Sequence, residues 1–143
     1  MAAERLEVAL LSIRPEYADA ILDGKKLVEF RRTRFSREVA FVVIYATQPV
    51  GKVVGWFEVG GIEESSPAEL WTRFSACGGI SEQKFHDYYS GAETGFAIRV
   101  KQAKRFPRAR QLKAVSGLEH APQSFAYLAA KKARSALKMA LTK

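Results

Sequence analysis

The sequence predicts an α+β domain in which short β-strands alternate with short helices. Three runs of β-branched, aromatic and other apolar residues have the length of strands: residues 7–13, 39–46 and 52–59. Helix-start signatures lie at Pro15, after the first run, and at Ser66, after the third. A chain of 143 residues fits a single domain, residues 1–143. A domain of this size buries roughly 68–70% of its extended-chain surface, so a sizeable core is available.

The first strand and helix lead to a glycine turn. Residues 7–13 have the character of a buried strand. Pro15 suits the first turn of a helix, where its missing N–H would have had no helical partner. Tyr17 and Ile21 follow at helical spacing, and Gly24 suits the left-handed position beyond the helix end. We therefore expect a strand, a short helix and a tight turn over residues 7–24.

A densely charged stretch follows this turn. Residues 24–32 read Gly-Lys-Lys-Leu-Val-Glu-Phe-Arg-Arg and place cations and a carboxylate among apolar positions. In a strand, alternate side chains share a face: Leu27, Glu29 and Arg31 on one side, Val28, Phe30 and Arg32 on the other. Lys26 stands at the entrance of this strand. Glu29 and Arg31 are therefore expected to lie side by side.

Glycine, proline and serine divide the middle of the chain. The segment Thr47-Gln48-Pro49 ends the strand at 39–46, and Gly55 within the next strand predicts a bulge or a close backbone approach. Gly60-Gly61 predicts a bend. The sequence Ser65-Ser66-Pro67-Ala68-Glu69 predicts a helix capped by Ser66 that stops before Gly78-Gly79. Ser81 begins a second short helix that ends at Gly91, and residues 96–100 return to strand character.

Two basic segments complete the chain. Residues 99–113 hold seven basic residues and no acidic one, which predicts either a solvated loop or an arm that grips a nucleic-acid backbone. Residues 123–143 predict a C-terminal amphipathic helix. Its apolar stripe would be formed by Phe125, Leu128, Ala129, Ala133, Ala136, Leu137, Ala140 and Leu141.

Composition bounds the partners and the compartment. Twenty-three Lys and Arg against fifteen Asp and Glu give a formal charge of +8, which favours an anionic partner: nucleic acid first, an acidic lipid surface second. Solubility alone is the alternative explanation. Cys77 is the one cysteine, so an intrachain disulfide is excluded, and the two histidines lack zinc spacing. We expect no metal, no cofactor and no membrane span. The single cysteine fits a reducing cytosol, and the N-terminus lacks a hydrophobic signal core, so we expect a cytoplasmic location.

The charged stretch also resembles a family signature. Gly24-x-Lys26-x-x-Glu29-x-Arg31 is similar to the G-x-K-x-x-E-x-R pattern of ASCH domains, a branch of the PUA-like superfamily. The order of elements over residues 5–128 is similar as well. The resemblance implies a small mixed β-barrel of about five or six strands, flanked by short helices and a C-terminal helix. It also implies a cleft, between the first helix and the barrel, that binds RNA in transcription or translation control.

The residues of the stretch suit nucleic-acid binding, with RNA favoured over DNA. Lys25, Lys26, Arg31 and Arg32 would meet phosphates, and Glu29 would orient them or accept a hydrogen bond from a base amino group. Aromatic residues would provide surfaces for base stacking: Tyr17, Tyr45 and Trp71. In the structural alternative, Glu29 and Arg31 form an ion pair in the barrel wall, and Tyr45 and Trp71 belong to the core.

Two further interpretations stay open. Some ASCH-like proteins are amidohydrolases of acylated cytidine that use a lysine, a threonine and a glutamate. Lys26 matches that lysine, but Glu29 stands at the place of the threonine and removes the hydroxyl nucleophile. A ribonuclease would use Lys26 and Glu29 as catalytic residues and Arg31 to stabilise charge, without a metal. A protein-interaction module would instead use the region 62–90.

Overall fold

The computed structural model describes residues 7–141, and side chains over residues 7–139. Within this range the chain forms six strands: β1 (Glu7–Ile13), β2 (Val28–Arg31), β3 (Val39–Ala46), β4 (Lys52–Ser65), β5 (Gly95–Arg110) and β6 (Phe125–Tyr127). It also forms five helices: α1 (Pro15–Leu22), α2 (Pro67–Phe74), α3 (Glu82–Tyr88), α4 (Leu112–Ser116) and α5 (Ala130–Leu141). The expectation of an α+β fold is therefore confirmed.

The six strands form one mixed sheet in the order β2-β5-β4-β3-β1-β6. Strands β1 and β3 are parallel, and the other neighbours are antiparallel. The sheet curls into a half-barrel with β2 and β6 at its two edges. The predicted small mixed barrel is thus confirmed in strand number and curvature. The two edge strands, however, do not pair with each other.

An apolar cluster covers each face of the sheet, and successive residues of β1 point alternately into one cluster and the other. Ala9, Leu11 and Ile13 face the cluster shared with α1, which packs against β3, β4 and β5. Val8 and Leu10 face the opposite cluster, which is covered by α4 and α5. A third cluster joins α2 and α3 to β2 and β5. The third cluster holds β2 in place and thereby positions the charged stretch, residues 24–32.

The glycine and serine signals behave as predicted. The Ser66 side chain accepts a hydrogen bond from the Glu69 N–H at 3.2 Å, and Ser81 does the same for the Lys84 N–H at 3.2 Å. Gly24 has a positive φ of 79°. A Cβ on Gly55 would lie 2.6 Å from the Lys104 carbonyl oxygen, and the ladder shifts register there. The predicted bulge and close approach at Gly55 are therefore both present.

Three boundaries differ from the sequence expectation. Residues 99–110 are strand rather than loop, because the ladder with β4 continues while Ala103 and Phe106 point inward between exposed cations. The C-terminal helix begins at Ala130, not at residue 123, because Phe125–Tyr127 pairs with β1 as a short edge strand. Strand β4 was expected over residues 52–59 but runs on to Ser65, past the predicted bend at Gly60-Gly61, where the ladder shifts register. The helix α4 was not expected.

Within the described range, none of the helices has both the length and the apolar character needed to cross a bilayer. The expectation about the N-terminus concerns residues 1–6, which lie outside the described residues.

Candidate functional site

The end of α1 delivers a lysine into the interior. After Gly24 turns the chain, the Lys26 N–H donates to the Ala20 carbonyl at 3.0 Å. The side chain then passes inward, and only 2% of Lys26 is exposed. Burying an ammonium group is costly unless partners compensate. The groups around the Lys26 ammonium must therefore compensate the cost of burying its charge.

A diglycine turn provides the first partner. The Lys26 Nζ donates to the Gly78 carbonyl oxygen. Gly79 has φ +63°, and a Cβ there would lie 2.8 Å from the Lys26 Cβ, so glycine is what lets the aliphatic stem pass. The aromatic rings of Tyr17 and Phe30 have centroids 5.2 and 5.1 Å from Nζ. Both rings therefore make cation–π contacts that stabilise the charge of the Lys26 ammonium group.

Glu29 lies between two cations. As predicted from strand alternation, Glu29 and Arg31 share a face of β2, and the Arg31 Nε and Nη2 donate to Glu29 Oε2 at 3.1 and 2.8 Å. The Lys26 Nζ is 3.9 Å from the other oxygen, Oε1. Glu29 and Arg31 are 6% and 9% exposed. We refer to Lys26, Glu29 and Arg31 as the buried charge cluster.

Arg31 also closes the seam between the two edges of the half-barrel. Its Nη2 donates to the Ser12 carbonyl at the end of β1, at 2.9 Å. Its Nη1 donates to Ser124 Oγ at 3.1 Å and reaches the Ser124 carbonyl at 3.5 Å, just before β6. These contacts and the two to Glu29 occupy all five guanidinium N–H groups. A side chain thus joins edges that the backbone ladder leaves open.

Burial lowers the pKa of the Lys26 ammonium group below its ordinary value. The Glu29 carboxylate raises this pKa in part, and the Arg31 charge lowers it further. Removal from water disfavours the charged form of a lysine, and one neighbouring carboxylate shared with an arginine offsets only part of that cost. Lys26 is therefore a lysine whose proton is held less tightly than usual, next to a carboxylate.

The buried charge cluster forms one wall of an open cleft of about 660 Å³. The cleft lies between α1, the α3 region and the ends of β1 and β3. Its lining combines charged, hydroxyl, amide and apolar groups: Ser12, Ile13, Arg14, Tyr17, Lys26, Glu29, Phe30, Arg31, Thr47, Ile80, Lys84, Asp87, Tyr88 and Gln123. Its volume lies within the range of small-molecule and cofactor sites. Among the described residues, no group of three or more His, Cys, Asp and Glu side chains could hold a metal ion.

The structure brings some of the predicted site residues to the cleft and leaves others outside it. Tyr17, together with the buried charge cluster, lines the cleft. Lys25 is exposed on the surface outside the cleft. Tyr45 is 7% exposed and packs in the cluster under α4 and α5. Trp71 packs against the cluster of α2 and α3.

Arg32 also lies outside the cleft, where it fastens the end of α3 to β2. Its Nη1 donates to the Tyr88 carbonyl at 2.8 Å and to the Ser90 carbonyl at 3.1 Å. The Arg32 N–H reaches the Tyr88 hydroxyl at 3.2 Å. Arg32 thus positions Tyr88, which lines the cleft.

Several site residues carried no local signal. Ser12, Ser124 and Gly78 contact the buried charge cluster from positions 19, 93 and 52 residues away in sequence. Arg14 and Lys84 place further cations at the cleft. The diglycine 78–79 was visible as the stop of a helix, but its second role depends on which side chain packs against it.

Comparison with known proteins agrees with this fold. The family model described as "ASCH domain" matches residues 11–114. A Zymomonas mobilis protein described as an "ASCH domain-containing ribonuclease" is 38% identical over 123 residues, which are 84% of this chain and 83% of that protein.

Solved structures match over nearly the whole chain. A crystal structure of ASCH from Zymomonas mobilis aligns with a TM-score of 0.84 and 31% identity, covering 95% of this chain and 96% of that one. The N-terminal domain of Staphylothermus marinus McrB aligns with a TM-score of 0.57 at 12% identity, covering 92% and 93% of the two chains. That second likeness concerns the fold alone. On the family model and the Zymomonas relative together, this chain belongs to the ASCH domain family.

Proposed function

We propose that this protein binds single-stranded RNA in the cleft beside the buried charge cluster. The observation that carries the proposal is the cluster itself: three charged residues, each at most 9% exposed, open on a polar cleft. Replacing a buried ion pair by apolar residues is often neutral or stabilising. Such a cluster at a cleft is therefore a candidate for function rather than for stability.

One oxygen of Glu29 is available to a base. Oε2 accepts two hydrogen bonds from Arg31, whereas among the described residues Oε1 has only Lys26 at 3.9 Å. A carboxylate oxygen accepts readily from an exocyclic amino group such as the N4 of cytosine. The half-buried ring of Tyr17 lines the same cleft and offers a surface for stacking. Glu29 would therefore select among bases while Arg31 holds its orientation.

Cations other than Arg31 would contact the phosphates. All five guanidinium N–H groups of Arg31 donate to protein acceptors. Arg31 would therefore affect a ligand by orienting Glu29 and not by direct contact. Arg14 and Lys84 line the cleft and are exposed. Exposed cations of this kind hold phosphates and position a strand without reading its sequence. The predicted phosphate role of Arg31 is accordingly transferred to these two residues.

The preference for RNA rests on two supports. The Zymomonas relative at 38% identity is described as a ribonuclease. The cleft also presents hydroxyl and amide groups at Ser12, Thr47 and Gln123, which are suited to a ribose 2′-hydroxyl that both donates and accepts. We expect DNA of the same sequence to bind more weakly.

Paired lysine variants test the proposal. Lys84 and Lys101 are both exposed, and each forms one ion pair, with Glu16 and Glu58 respectively. Only Lys84 lines the cleft. Fluorescence anisotropy with labelled single-stranded RNA should show weaker binding for Lys84→Ala and a salt slope reduced by about 1. Lys101→Ala should bind like the wild type. Equal affinities for the two variants would contradict the cleft assignment.

RNA hydrolysis is a second candidate, supported by the lowered pKa of Lys26 beside Glu29 and by the description of the Zymomonas relative. In this case Lys26 and Glu29 would exchange protons with the ribose hydroxyl and the leaving oxygen. Incubation of the bound RNA, followed by gel electrophoresis and mass spectrometry, tests this candidate. Cleavage that is lost in Lys26→Gln while binding persists would establish hydrolysis. Intact RNA after long incubation would leave binding alone.

A further inference from the structure

The cations of this protein divide into those that are neutralised and those that are not. Within residues 7–139, seven exposed arginines and lysines meet a carboxylate, as Arg105 does with Asp19 and Asp23 at 3.1 and 3.0 Å. Other cations have side chains that form no hydrogen bond or ion pair to the described part of the chain: Arg14, Lys25, Lys52, Lys104, Arg108, Arg110, Lys131 and Arg134. Of these, Lys52, Arg108 and Arg110 lie at one end of the sheet. We refer to these three residues as the basic edge.

The sheet register places the basic edge beside the cleft. Ile13, which lines the cleft, is opposite Ala46, and Ala46 is opposite Lys52. The next residue of β4, Val53, is opposite Arg110. One end of the sheet therefore leads from the cleft across β3 and β4 to β5. Three strand spacings make this path about 14 Å long.

A bulge presents the two arginines to solvent. Between the pairs Val53–Arg110 and Gly55–Arg105, β4 contributes one residue and β5 contributes four. Phe106 anchors the bulge in the core at 5% exposure, and residues 107–111 are all exposed. Bulges of this kind re-aim side chains and are frequent beside functional sites. The extra residues thus place Arg108 outside the ladder, and Arg110 rejoins the ladder opposite Val53 with its side chain exposed.

In the sequence, a cation paired with a carboxylate lies on each side of Arg108 and Arg110. Arg105 is neutralised by the two aspartates of the α1 region, and Lys113 is paired with Glu119 at 2.6 Å. The uncompensated charge between them lies at positions 108 and 110. A line of free cations that begins at a cleft is the arrangement that follows a polyanion backbone.

We propose that the basic edge is a second nucleic-acid contact, along which a single-stranded RNA leaving the cleft continues over Lys52 to Arg108 and Arg110. This inference rests on the proposed function of the cleft. The edge holds phosphates and carries no base reading, so it adds affinity for longer strands irrespective of sequence. A ligand too short to leave the cleft does not reach it.

A comparison of ligand lengths tests the proposal. Anisotropy is measured with a labelled trinucleotide and a labelled dodecanucleotide of the same composition. The variant Arg108→Ala/Arg110→Ala is compared with Arg34→Ala/Lys101→Ala, which removes two exposed cations elsewhere on the surface. We expect the first variant to lose about tenfold in affinity for the dodecanucleotide, with a salt slope lower by about 2, and to bind the trinucleotide unchanged. The control should match the wild type.

The outcomes separate the two proposals. If the wild type binds the trinucleotide and the dodecanucleotide equally, or if both double variants lose equal affinity for the longer strand, the basic edge is not a contact and the cleft assignment stands. If the wild type binds the dodecanucleotide but not the trinucleotide, and the cleft variant Lys84→Ala has no effect, the cleft assignment fails. Retention of the length effect in Arg108→Ala/Arg110→Ala would also overturn the basic edge.

Discussion

Two clusters in this protein each combine one carboxylate with two cations, but their surroundings differ. The buried charge cluster combines Glu29 with Lys26 and Arg31. A second cluster on the surface combines Glu63 with Arg73 and Arg99, both at 3.1 Å. Glu29 has 8% of its side chain exposed, whereas Glu63 has 32%. We refer to the second as the exposed charge cluster.

The difference between the clusters lies in the consequence of burial. In the exposed charge cluster, hydrogen bonds from Arg99 and then Arg73 lower the pKa of Glu63, and water screens every partner. In the buried charge cluster, burial lowers the pKa of Lys26 despite the carboxylate beside it. One carboxylate and two cations thus form a solvated ion-pair network in the exposed charge cluster. In the buried charge cluster they line a cleft and include a lysine with a lowered pKa. Proximity of charges alone does not identify a site.

Removing the carboxylate from each cluster should give the largest contrast. Glu29→Gln leaves Lys26 and Arg31 facing each other without compensation, so we expect a loss of about 3 to 5 kcal/mol in the free energy of unfolding. Glu63→Gln should cost less than about 1 kcal/mol because exposed ion pairs contribute little. Urea denaturation of the two variants measures both values. Similar losses would mean that burial does not distinguish the clusters.

A methyl group on each of two glycines tests how tightly Lys26 is enclosed. Gly79 and Gly91 both have positive φ, +63° and +81°, so alanine is strained at either position. A Cβ at Gly79 meets the Lys26 stem at 2.8 Å, whereas a Cβ at Gly91 has no atom within 4 Å. We expect Gly91→Ala to cost about 1 kcal/mol, and Gly79→Ala about 1 kcal/mol more. Equal losses by urea denaturation would indicate that the turn yields to the added group without disturbing Lys26.

The pH dependence of stability gives a smaller effect with a defined sign. The folded chain holds the Lys26 proton less tightly than the unfolded chain, whose lysines titrate near about 10.4. Between the lowered folded pKa and about pH 10.4, the unfolded state binds more protons. The contribution of Lys26 to stability therefore rises with pH across that window, by about 1.4 kcal/mol in total for each unit of lowering.

Lysine-to-methionine variants isolate this contribution. Unfolding free energies of the wild type, Lys26→Met and Lys101→Met are measured from neutral pH to just above pH 10. Relative to the wild type, Lys26→Met should lack the alkaline rise. Lys101→Met, which replaces an exposed lysine, should follow the wild-type curve. A Lys26→Met curve parallel to the wild-type curve would contradict the lowered pKa.

Local signals in the sequence predicted elements whose causes are local. The caps at Ser66 and Ser81, the turn at Gly24 and the side-by-side placement of Glu29 and Arg31 depend on neighbours in the chain. A capping side chain or an alternating strand leaves the same pattern in any fold. These expectations are confirmed for that reason.

Long-range contacts could not be predicted in this way. The Gly78 carbonyl that binds Lys26 and the Ser124 hydroxyl that binds Arg31 are set by sheet topology. The strand at residues 99–110 could not be distinguished from a loop or an arm because its outward positions are cationic, while few apolar residues point inward: Val100, Ala103 and Phe106. Phe125 fitted a helical stripe equally well, and its pairing with Leu11 decides the strand. The exposed charge cluster carried no signal at all.

Chemical-shift mapping tests the central claim most directly. Backbone amide resonances are recorded while a short single-stranded RNA is titrated into the 143-residue chain. We predict the largest shifts at cleft residues such as Thr47, Ile80 and Gln123, with Glu63 and Arg73 unaffected. Shifts centred on the exposed charge cluster, or an unchanged spectrum at saturating RNA, would contradict the assignment of the cleft beside Lys26, Glu29 and Arg31 as an RNA-binding site.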